Sequence, residues 1–305
     1  MTNTKGLPLV SIDCLVYNHE SYLRQCLDGF ILQQTNFEIE IIIHDDASTD
    51  QSAEIIKEYT DKYPDLFFPI YQSENQYSKG VLIEETIIYP RCRGKYIALC
   101  EGDDYWTDHL KLQKQVDFLE QNAEYAGCAH QSLVLHDDNT PSHVFRQNDS
   151  SDITIDDVLR QRKFHTASIV FRQTIISNIK EFPKVISGDR FLIILVALSG
   201  KIKFMDECMC VYRKHAAGIS SLVTTKMMKL DLNMVPFFTK RSSNFPKYRL
   251  LSFLYLTIAK YPKDIGQAQK LYYLFVSFIF SFSYFPRNLY SSHLKKVART
   301  ASSKI

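Results

Sequence analysis

The chain has 305 residues, 45% of them hydrophobic and 23% charged, and a formal net charge of +2. This composition excludes a collagen-like or disordered chain and is typical of one large globular domain, alone or with an appendage. Residues 1–8 lack a basic start followed by an apolar core, so we expect no secretory signal. The seven cysteines form no pair of CxxC motifs, which argues against zinc and favours reduced thiols in a cytoplasm.

The first 122 residues alternate between predicted strands and predicted helices. We predict strands over residues 9–16, 39–43, 66–71 and 95–100, and helices over residues 20–34, 48–63, 80–90 and 108–122. Such alternation argues for an α/β fold with a parallel or mostly parallel sheet.

Two of these strands run directly into acidic side chains. The strand at 39–43 is followed by Asp45 and Asp46, and the strand at 95–100 by Glu101, Asp103 and Asp104. Because parallel strands open their carboxyl ends on one crevice, we expect these acids to meet there. Carboxylates brought together repel one another unless a cation or a hydrogen-bonding ligand lies between them. The pattern therefore predicts a site for a divalent metal and the ligand that the metal carries.

The order of elements is looser after residue 122. We predict strands over residues 125–136, 168–171 and 203–211, a polar loop over 137–149, and helices over 153–160 and 189–199. Cys208 and Cys210 are expected to share one strand face. Beyond about residue 222 the pattern is helical, so we predict two domains, residues 1–222 and residues 223–305.

The C-terminal part differs sharply in charge from the rest of the chain. Residues 240–305 contain twelve lysines or arginines and a single acid, which gives +11, whereas residues 1–239 carry −9. This asymmetry predicts an anionic partner for the C-terminal part. The apolar and aromatic run at 271–285 argues against nucleic acid as that partner.

The run at 271–285 has 15 residues, fewer than the roughly 20 that a helix needs to span a bilayer. It allows two interpretations. One is an interfacial helix on an anionic membrane surface, flanked by Lys270, Arg287, Lys295, Lys296 and Arg299. The other is a buried helix that packs on the preceding domain.

Five landmarks follow one another at the ends of predicted elements. They are Leu-Val-Tyr-Asn at 15–18, His-Asp-Asp-Ala-Ser-Thr-Asp at 44–50, Glu-Gly-Asp-Asp-Tyr-Trp at 101–106, Gly-Asp at 188–189 and Tyr-Arg-Lys-His at 212–215. In these landmarks the chain, over about residues 7–220, resembles the family 2 glycosyltransferases of the GT-A fold. The resemblance implies a Rossmann-like, mixed and mostly parallel sheet flanked by helices, here with a basic helical extension.

The resemblance implies a nucleotide-sugar donor, and a UDP-sugar best suits the residues. Tyr17 would stack on uracil, and Asp45 would accept a hydrogen bond from the uracil imide. Alternatively, the Tyr17 ring only caps the sheet. The other donor-binding residues that the resemblance implies are Asp46, Asn75, Asp103, Asp104 and Arg213, the last on the diphosphate.

The acidic segment at 101–104 resembles the Asp-x-Asp motif that holds Mn²⁺ or Mg²⁺ against the diphosphate. The first acid here is Glu101 instead of Asp, so Asp103 is the stronger candidate ligand. His215 would complete the metal shell. Alternatively, the segment at 101–104 is only an acidic turn exposed to solvent. His215 could likewise be an ordinary surface or core histidine whose hydrogen bonds are satisfied within the protein.

Asp189 matches the general base of the family, which takes the proton of the attacking acceptor hydroxyl. Its alternative role is to cap the helix at 190–199. Trp106 and His165 are candidates for the acceptor side, and Trp106 is equally suited to anchor the core.

Taken together, the resemblance implies an inverting, metal-dependent transfer of a single sugar to a lipid-linked or saccharide acceptor in bacterial surface polysaccharide synthesis. The Gln-x-x-Arg-Trp motif of processive relatives is absent, which favours one sugar per encounter. The expected location is the cytoplasm or the inner face of the cytoplasmic membrane. Two alternatives are an inactive nucleotide-sugar-binding or scaffold protein and a Mg²⁺-dependent phosphohydrolase.

Overall fold

A computed structural model describes residues 6–138, 140–145, 152–215, 223–262 and 264–282. The chain divides into two compact units. The first comprises Met1–Val158, Arg162–Phe182 and Leu195–Ala216, and the second comprises Leu159–Gln161, Pro183–Ile194 and Ala217–Ile305. The boundary expected after residue 222 lies among residues outside the described ranges and stays a prediction.

The first unit is built on one mixed sheet, whose described strands follow the order β3-β2-β1-β4-β9-β6-β10-β5. β7 pairs with β6 and β8 pairs with β10. The strands are β1 (Val10–Val16), β2 (Ile39–Asp45), β3 (Phe67–Tyr71), β4 (Tyr96–Leu99), β5 (Tyr105–Trp106), β6 (Tyr125–His136), β7 (His143–Phe145), β8 (Asp152–Ile153), β9 (Val170–Arg172) and β10 (Lys201–Lys214).

The longest ladders of the sheet are parallel, which confirms the predicted sheet type. β1 lies between β2 and β4, and β2 lies beside β3, all in parallel. β6 and β10 form a second parallel ladder, while β9, β5, β7 and β8 add antiparallel pairs.

Of the α-helices described between residues 20 and 199, all but the short one at Thr174–Ser177, which the sequence did not predict, lie within or close to predicted helices. The described α-helices of this range are α1 (Glu20–Ile31), α2 (Ser52–Lys62), α3 (Lys111–Gln121), α4 (Ile155–Val158), α5 (Thr174–Ser177) and α6 (Gly188–Ser199). The apolar side of α1 is buried through Leu23, Cys26, Leu27 and Phe30. These side chains join Val10, Ile12, Cys14 and Val16 of β1 in the main core. Every second side chain of β1 therefore points into this core, as the period of two residues in a strand requires.

Three local predictions were wrong. In place of the helix expected over 80–90, the chain forms a five-residue π-helix at Glu84–Ile88, after a separate 3-10 turn at Tyr77–Lys79. A 3-10 turn at Tyr89–Arg91 follows directly, where Pro90 lacks the N–H that a longer helix would need. The loop expected over 137–149 contains β7, because His143–Phe145 pairs with β6. Cys208 is exposed and Cys210 buried, since register shifts in β10 break the simple alternation.

The second unit contains four described helices after residue 222. They are α7 (Thr225–Met228), α8 (Met234–Arg241), α9 (Lys247–Lys260) and α10 (Gln267–Phe282). α9 and α10 pack side by side, joined by hydrogen bonds between Ser252 and Ser277. Among the described residues, no helix is both long and apolar enough to span a bilayer. The last three residues of the run at 271–285 lie beyond them.

Candidate active site

The end of β1 lies between the two acidic segments. The backbone N–H of Asp46 donates to the carbonyl of Val16 at 2.9 Å, and the N–H of Gly102 donates to the carbonyl of Leu15 at 2.9 Å. The segment after β2 and the segment after β4 are therefore both fastened to the last two residues of β1. This is the crevice at strand ends where α/β folds bind ligands.

Tyr17 follows β1 directly and is exposed, so its ring is open to a planar partner. The next residue, Asn18, and the facing Ala47 both adopt left-handed backbone angles, with φ of 56° and 60°. Non-glycine residues rarely hold this conformation without support. Part of that support is the Asn18 Oδ1, which accepts a 2.7 Å hydrogen bond from the N–H of Thr49.

Asp45 is buried beside this turn, and one of its carboxylate oxygens is unsatisfied. Its Oδ2 accepts a long hydrogen bond of 3.4 Å from the N–H of Ser48, whereas Oδ1 has no partner. Burial raises the pKa of Asp45. A buried acceptor without a donor is costly, so Oδ1 is suited to a donor that a ligand supplies.

Asp46 and Asn75 fix the loop after β3. The Asp46 carboxylate accepts hydrogen bonds from the N–H groups of Gln76 and Tyr77, at 2.7 and 3.0 Å. The amide of Asn75 donates to the carbonyl of Asp46 at 3.3 Å. The structure thus brings these two predicted residues together, since Asn75 contacts the backbone of Asp46 and the Asp46 carboxylate holds the two residues that follow Asn75.

The acidic turn after β4 distributes its side chains unequally. Glu101 is exposed, Asp103 is half-buried and Asp104 is buried. A Cβ at Gly102 would lie 2.9 Å from Nδ1 of His19, so any larger residue here would force that ring to shift. Asp104 Oδ1 accepts a 2.8 Å hydrogen bond from the N–H of Arg213. Burial and the nearby Asp103 and Glu101 carboxylates raise the pKa of Asp104 well above its ordinary value.

Asp103 lies between two imidazoles. Its Oδ2 is 2.9 Å from Nε2 of His215 and 4.0 Å from Nε2 of His19, while Oδ1 is buried without a partner. Burial is the largest single influence and opposes ionisation of Asp103, but the hydrogen bond from His215 and the nearby His19 and His215 charges together lower the pKa of Asp103. The same hydrogen bond raises the pKa of His215, whereas burial lowers that of His19.

His19 was missed in the sequence, although it directly follows the Leu-Val-Tyr-Asn landmark. No spacing rule connects it to residue 103, since the contact depends on the packing of α1 against the turn. Among the described residues, no three His, Cys, Asp or Glu side chains are arranged to hold a metal ion by themselves.

The Arg213 side chain contacts the acidic turn and two aromatic rings. Its guanidinium donates to the carbonyl of Asp103 at 2.6 Å and to Gln25 Oε1. It also lies between the rings of Tyr22 and Tyr105, 5.0 and 4.5 Å from their centres. The side chain thus braces the acidic turn, and its predicted contact with a diphosphate stays a prediction.

The two residues predicted for the acceptor side, Trp106 and His165, are both buried. Trp106 is buried in the main core and donates to the carbonyl of Ala167 at 2.8 Å, the position of a core anchor. His165 is buried too, stacked on Tyr212 with ring centres 4.0 Å apart. Neither placement provides a solvent-facing surface for an acceptor.

Asp189 lies in the second unit, in the first turn of α6, where its Oδ1 accepts a 2.7 Å hydrogen bond from the N–H of Arg190. The turn before it is fixed by Asp231, a buried residue that the sequence analysis missed. Asp231 accepts hydrogen bonds from the N–H groups of Ile186 and Ser187 and from the Ser187 hydroxyl, at 2.9, 3.0 and 2.7 Å.

Comparison with curated proteins finds both uncharacterised relatives and named glycosyltransferases. An uncharacterised protein of Mycobacterium tuberculosis is 41% identical over 212 residues, which are 69% of this chain and 60% of that protein. The match thus spans less than two thirds of that relative's length. The UDP-Glc:alpha-D-GlcNAc-diphosphoundecaprenol beta-1,3-glucosyltransferase WfaP of Escherichia coli is 27% identical over 216 residues, which are 70% of this chain and 81% of that enzyme.

Solved structures share the fold. Residues 1–349 of TarS from S. aureus, in complex with UDP, superpose with a TM-score of 0.62 at 16% identity, covering 82% of this chain and 72% of that one. The mannosyltransferase PcManGT from Pyrobaculum calidifontis, in complex with GDP-Man and Mn²⁺, gives 0.59 at 12% identity, covering 98% and 82%. Both likenesses confirm the GT-A architecture.

The sequence profile of Glycosyl transferase family 2 matches residues 14–217, two thirds of the chain and all of the strand ends described above. The chain belongs to glycosyl transferase family 2.

Proposed function

We propose that this protein is an inverting glycosyltransferase that moves one sugar from a UDP-sugar to a hydroxyl group of a glycan acceptor. One observation carries the proposal. Among the buried carboxylate oxygens without partners are Oδ1 of Asp45 and Oδ1 of Asp103, which lie at or just beyond the ends of the two strands that flank β1. The Asp45 oxygen could accept a hydrogen bond from the base of a nucleotide, and the Asp103 oxygen could bind the cation that accompanies the diphosphate.

The nucleoside is proposed to bind at Tyr17 and Asp45. The exposed ring of Tyr17 offers a stacking surface, and the unsatisfied Asp45 oxygen suits the N–H of a uracil imide. TarS was crystallised with UDP and with UDP-GlcNAc, which favours a uridine donor for a chain of this fold. Asp46 and Asn75 are proposed to support nucleoside binding indirectly, because their hydrogen bonds fix the loop after β3.

The cation is proposed to be Mn²⁺ or Mg²⁺ at Asp103. The residues fit such an ion, since an ionised carboxylate with one buried, unpartnered oxygen is a hard ligand. His215 and the exposed Glu101 are the further candidate ligands, and phosphate oxygens would complete the shell. When bound, the ion stabilises negative charge on the departing diphosphate. Asp104 and Arg213 keep the turn that carries Asp103 in place.

Asp189 is proposed as the general base that takes the acceptor proton. This assignment depends on the resemblance of Gly188-Asp189 to the family motif, within the matched residues 14–217, and on the support that Asp231 gives to the preceding turn. The acceptor class follows from a relative, because WfaP is named for a diphosphoundecaprenol-linked acceptor. We therefore propose a lipid-linked saccharide acceptor in surface polysaccharide synthesis, at the inner face of the cytoplasmic membrane.

A thermal-unfolding screen of nucleotide sugars with and without Mn²⁺ tests the proposal. Ligands that bind only the native state raise the midpoint temperature. We expect UDP and one UDP-sugar to raise it in the presence of Mn²⁺, and GDP and ADP to have smaller effects. No stabilisation by any nucleotide would contradict the function, and release of phosphate from a simple ester would indicate a phosphohydrolase instead.

A further inference from the structure

Helix α10 exposes large apolar side chains and buries serines. Leu271, Tyr272, Phe275 and Ile279 are 65%, 60%, 61% and 50% exposed. On its packed side, Ser277 and Ser281 are buried together with Tyr273 and Leu274. Ordinary surface helices show the opposite preference for their most exposed positions.

The four exposed side chains form one continuous face, here called the α10 apolar face. At 100° per residue, positions 271, 272, 275 and 279 fall within one arc of about 100°. The buried positions lie on the other side, where α10 meets α9. There the Ser252 and Ser277 hydroxyls each donate to the other's carbonyl, at 2.9 and 2.7 Å. The helix is thus already packed through its serine side, and the apolar face is left to solvent.

The part of the chain that contains and follows this face is basic in sequence, which favours an anionic partner. Residues 265–305 contain six lysines or arginines and no aspartate or glutamate. Two copies joined through this face would bring like charges together, which is unfavourable. An anionic surface with an apolar interior satisfies both the charge and the exposed rings.

We propose that the α10 apolar face docks on the surface of a bilayer that contains anionic lipids. α10 has 16 residues, a length of about 24 Å at 1.5 Å per residue, and it suits a helix lying in the interface. The proposal deepens the proposed function, since it names the membrane partner that a lipid-linked acceptor requires. Tyr272 lies at the edge of the arc, where an aromatic ring with a polar end suits the headgroup region.

Flotation of the full-length protein with vesicles tests the proposal. We expect binding to phosphatidylcholine vesicles that contain phosphatidylglycerol, and little binding to pure phosphatidylcholine. Leu271→Gln with Phe275→Gln should lower the partition coefficient by about tenfold or more, because two inserted side chains are lost. Leu271→Gln alone is compared with the control Leu32→Gln, because Leu32 of the first unit is equally exposed, at 65%, but lies outside the α10 apolar face.

The outcomes separate this inference from the proposed function. Equal effects of Leu271→Gln and Leu32→Gln, or no binding of the wild type to anionic vesicles, would overturn the docking inference. A wild-type dimer in sedimentation equilibrium that Leu271→Gln dissociates would overturn it in favour of a second copy. Stabilisation by UDP and Mn²⁺ is measured on the same preparations. If it persists while vesicle binding fails, only the docking inference is lost, and the reverse result removes only the donor assignment.

Discussion

At the scale of single residues, Asp189 is the acid on which the proposed chemistry depends. Asp189→Asn keeps the size of the side chain and removes its basicity. We expect UDP binding in the presence of Mn²⁺ to change less than about twofold, and transfer to fall by about 10²–10⁴-fold, the usual contribution of a positioned base. Calorimetry and a product assay measure the two quantities.

The exposed Glu181 provides the control for this experiment, as Glu181→Gln removes a carboxylate of the neighbouring segment. We expect it to leave both quantities unchanged. Near-normal transfer by Asp189→Asn would show that another group takes the proton and that Asp189 only caps α6.

Lys111 carries the clearest pH dependence. It is fully buried at the start of α3, with Nζ 2.9 Å from Gln115 Oε1 and 4.1 Å from the centre of the Trp106 ring. Burial lowers the pKa of Lys111 to about 8. An unfolded lysine has a pKa of about 10.4. Between pH 8 and about 10.4, Lys111 is mostly neutral in the folded state and protonated in the unfolded state. Its contribution to the free energy of unfolding therefore rises with pH across this range, by about 3 kcal/mol in all.

Lys111→Met isolates this contribution. Buried thiols titrate in the unfolded state of both proteins and cancel in the comparison. We expect the stability of the variant relative to wild type to fall as the pH rises from 7.5 to 10, because only the wild type gains the lysine contribution. Chemical denaturation at four pH values gives the difference, and a difference independent of pH would show that Lys111 is not buried as described.

At the scale of elements, Asp46 connects the end of β2 to the loop after β3. Asp46→Ala would leave the N–H groups of Gln76 and Tyr77 without their acceptor. We expect a loss of about 1–3 kcal/mol in the free energy of unfolding and faster amide exchange at both residues. Hydrogen exchange with mass analysis measures the effect by segment.

The same loop contains a matched control. Glu74→Ala breaks only the exposed ion pair with Lys79, and exposed pairs contribute about 0–1 kcal/mol. Unchanged exchange in Asp46→Ala, or an equal effect of Glu74→Ala, would show that the carboxylate does not organise the loop.

The elements that local pattern determines were predictable. β1 and β2 were found to within two residues because apolar runs and a following polar turn are local signals. β7 was not, since three residues become a strand only through pairing with β6. The opposite exposures of Cys208 and Cys210 were missed for the same reason, as register shifts depend on the partner strand.

At the scale of the whole molecule, the sequence could predict that acids meet at one edge of the sheet, because strand and helix alternation indicates a mostly parallel sheet whose carboxyl ends share that edge. It could not predict which carboxylate oxygens would be left unsatisfied. Asp46 and Asp104 are used by backbone N–H groups, whereas Asp45 and Asp103 each keep one buried oxygen without a partner. That distinction comes from tertiary contacts with residues 76 and 213. The contact of His19 with Asp103 has the same origin.

The proposal that the acids beside β1 hold a cation and a nucleotide diphosphate together is tested most directly by calorimetric titration of UDP with and without Mn²⁺. We expect Mn²⁺ to tighten UDP binding at least about tenfold in the wild type, a coupling of about 1.4 kcal/mol or more. Asp103→Ala should abolish this coupling and keep the metal-free affinity, while Asp117→Ala, at an exposed acid of α3, should behave as wild type. Full coupling in Asp103→Ala, or no binding of UDP to the wild type, would contradict the account.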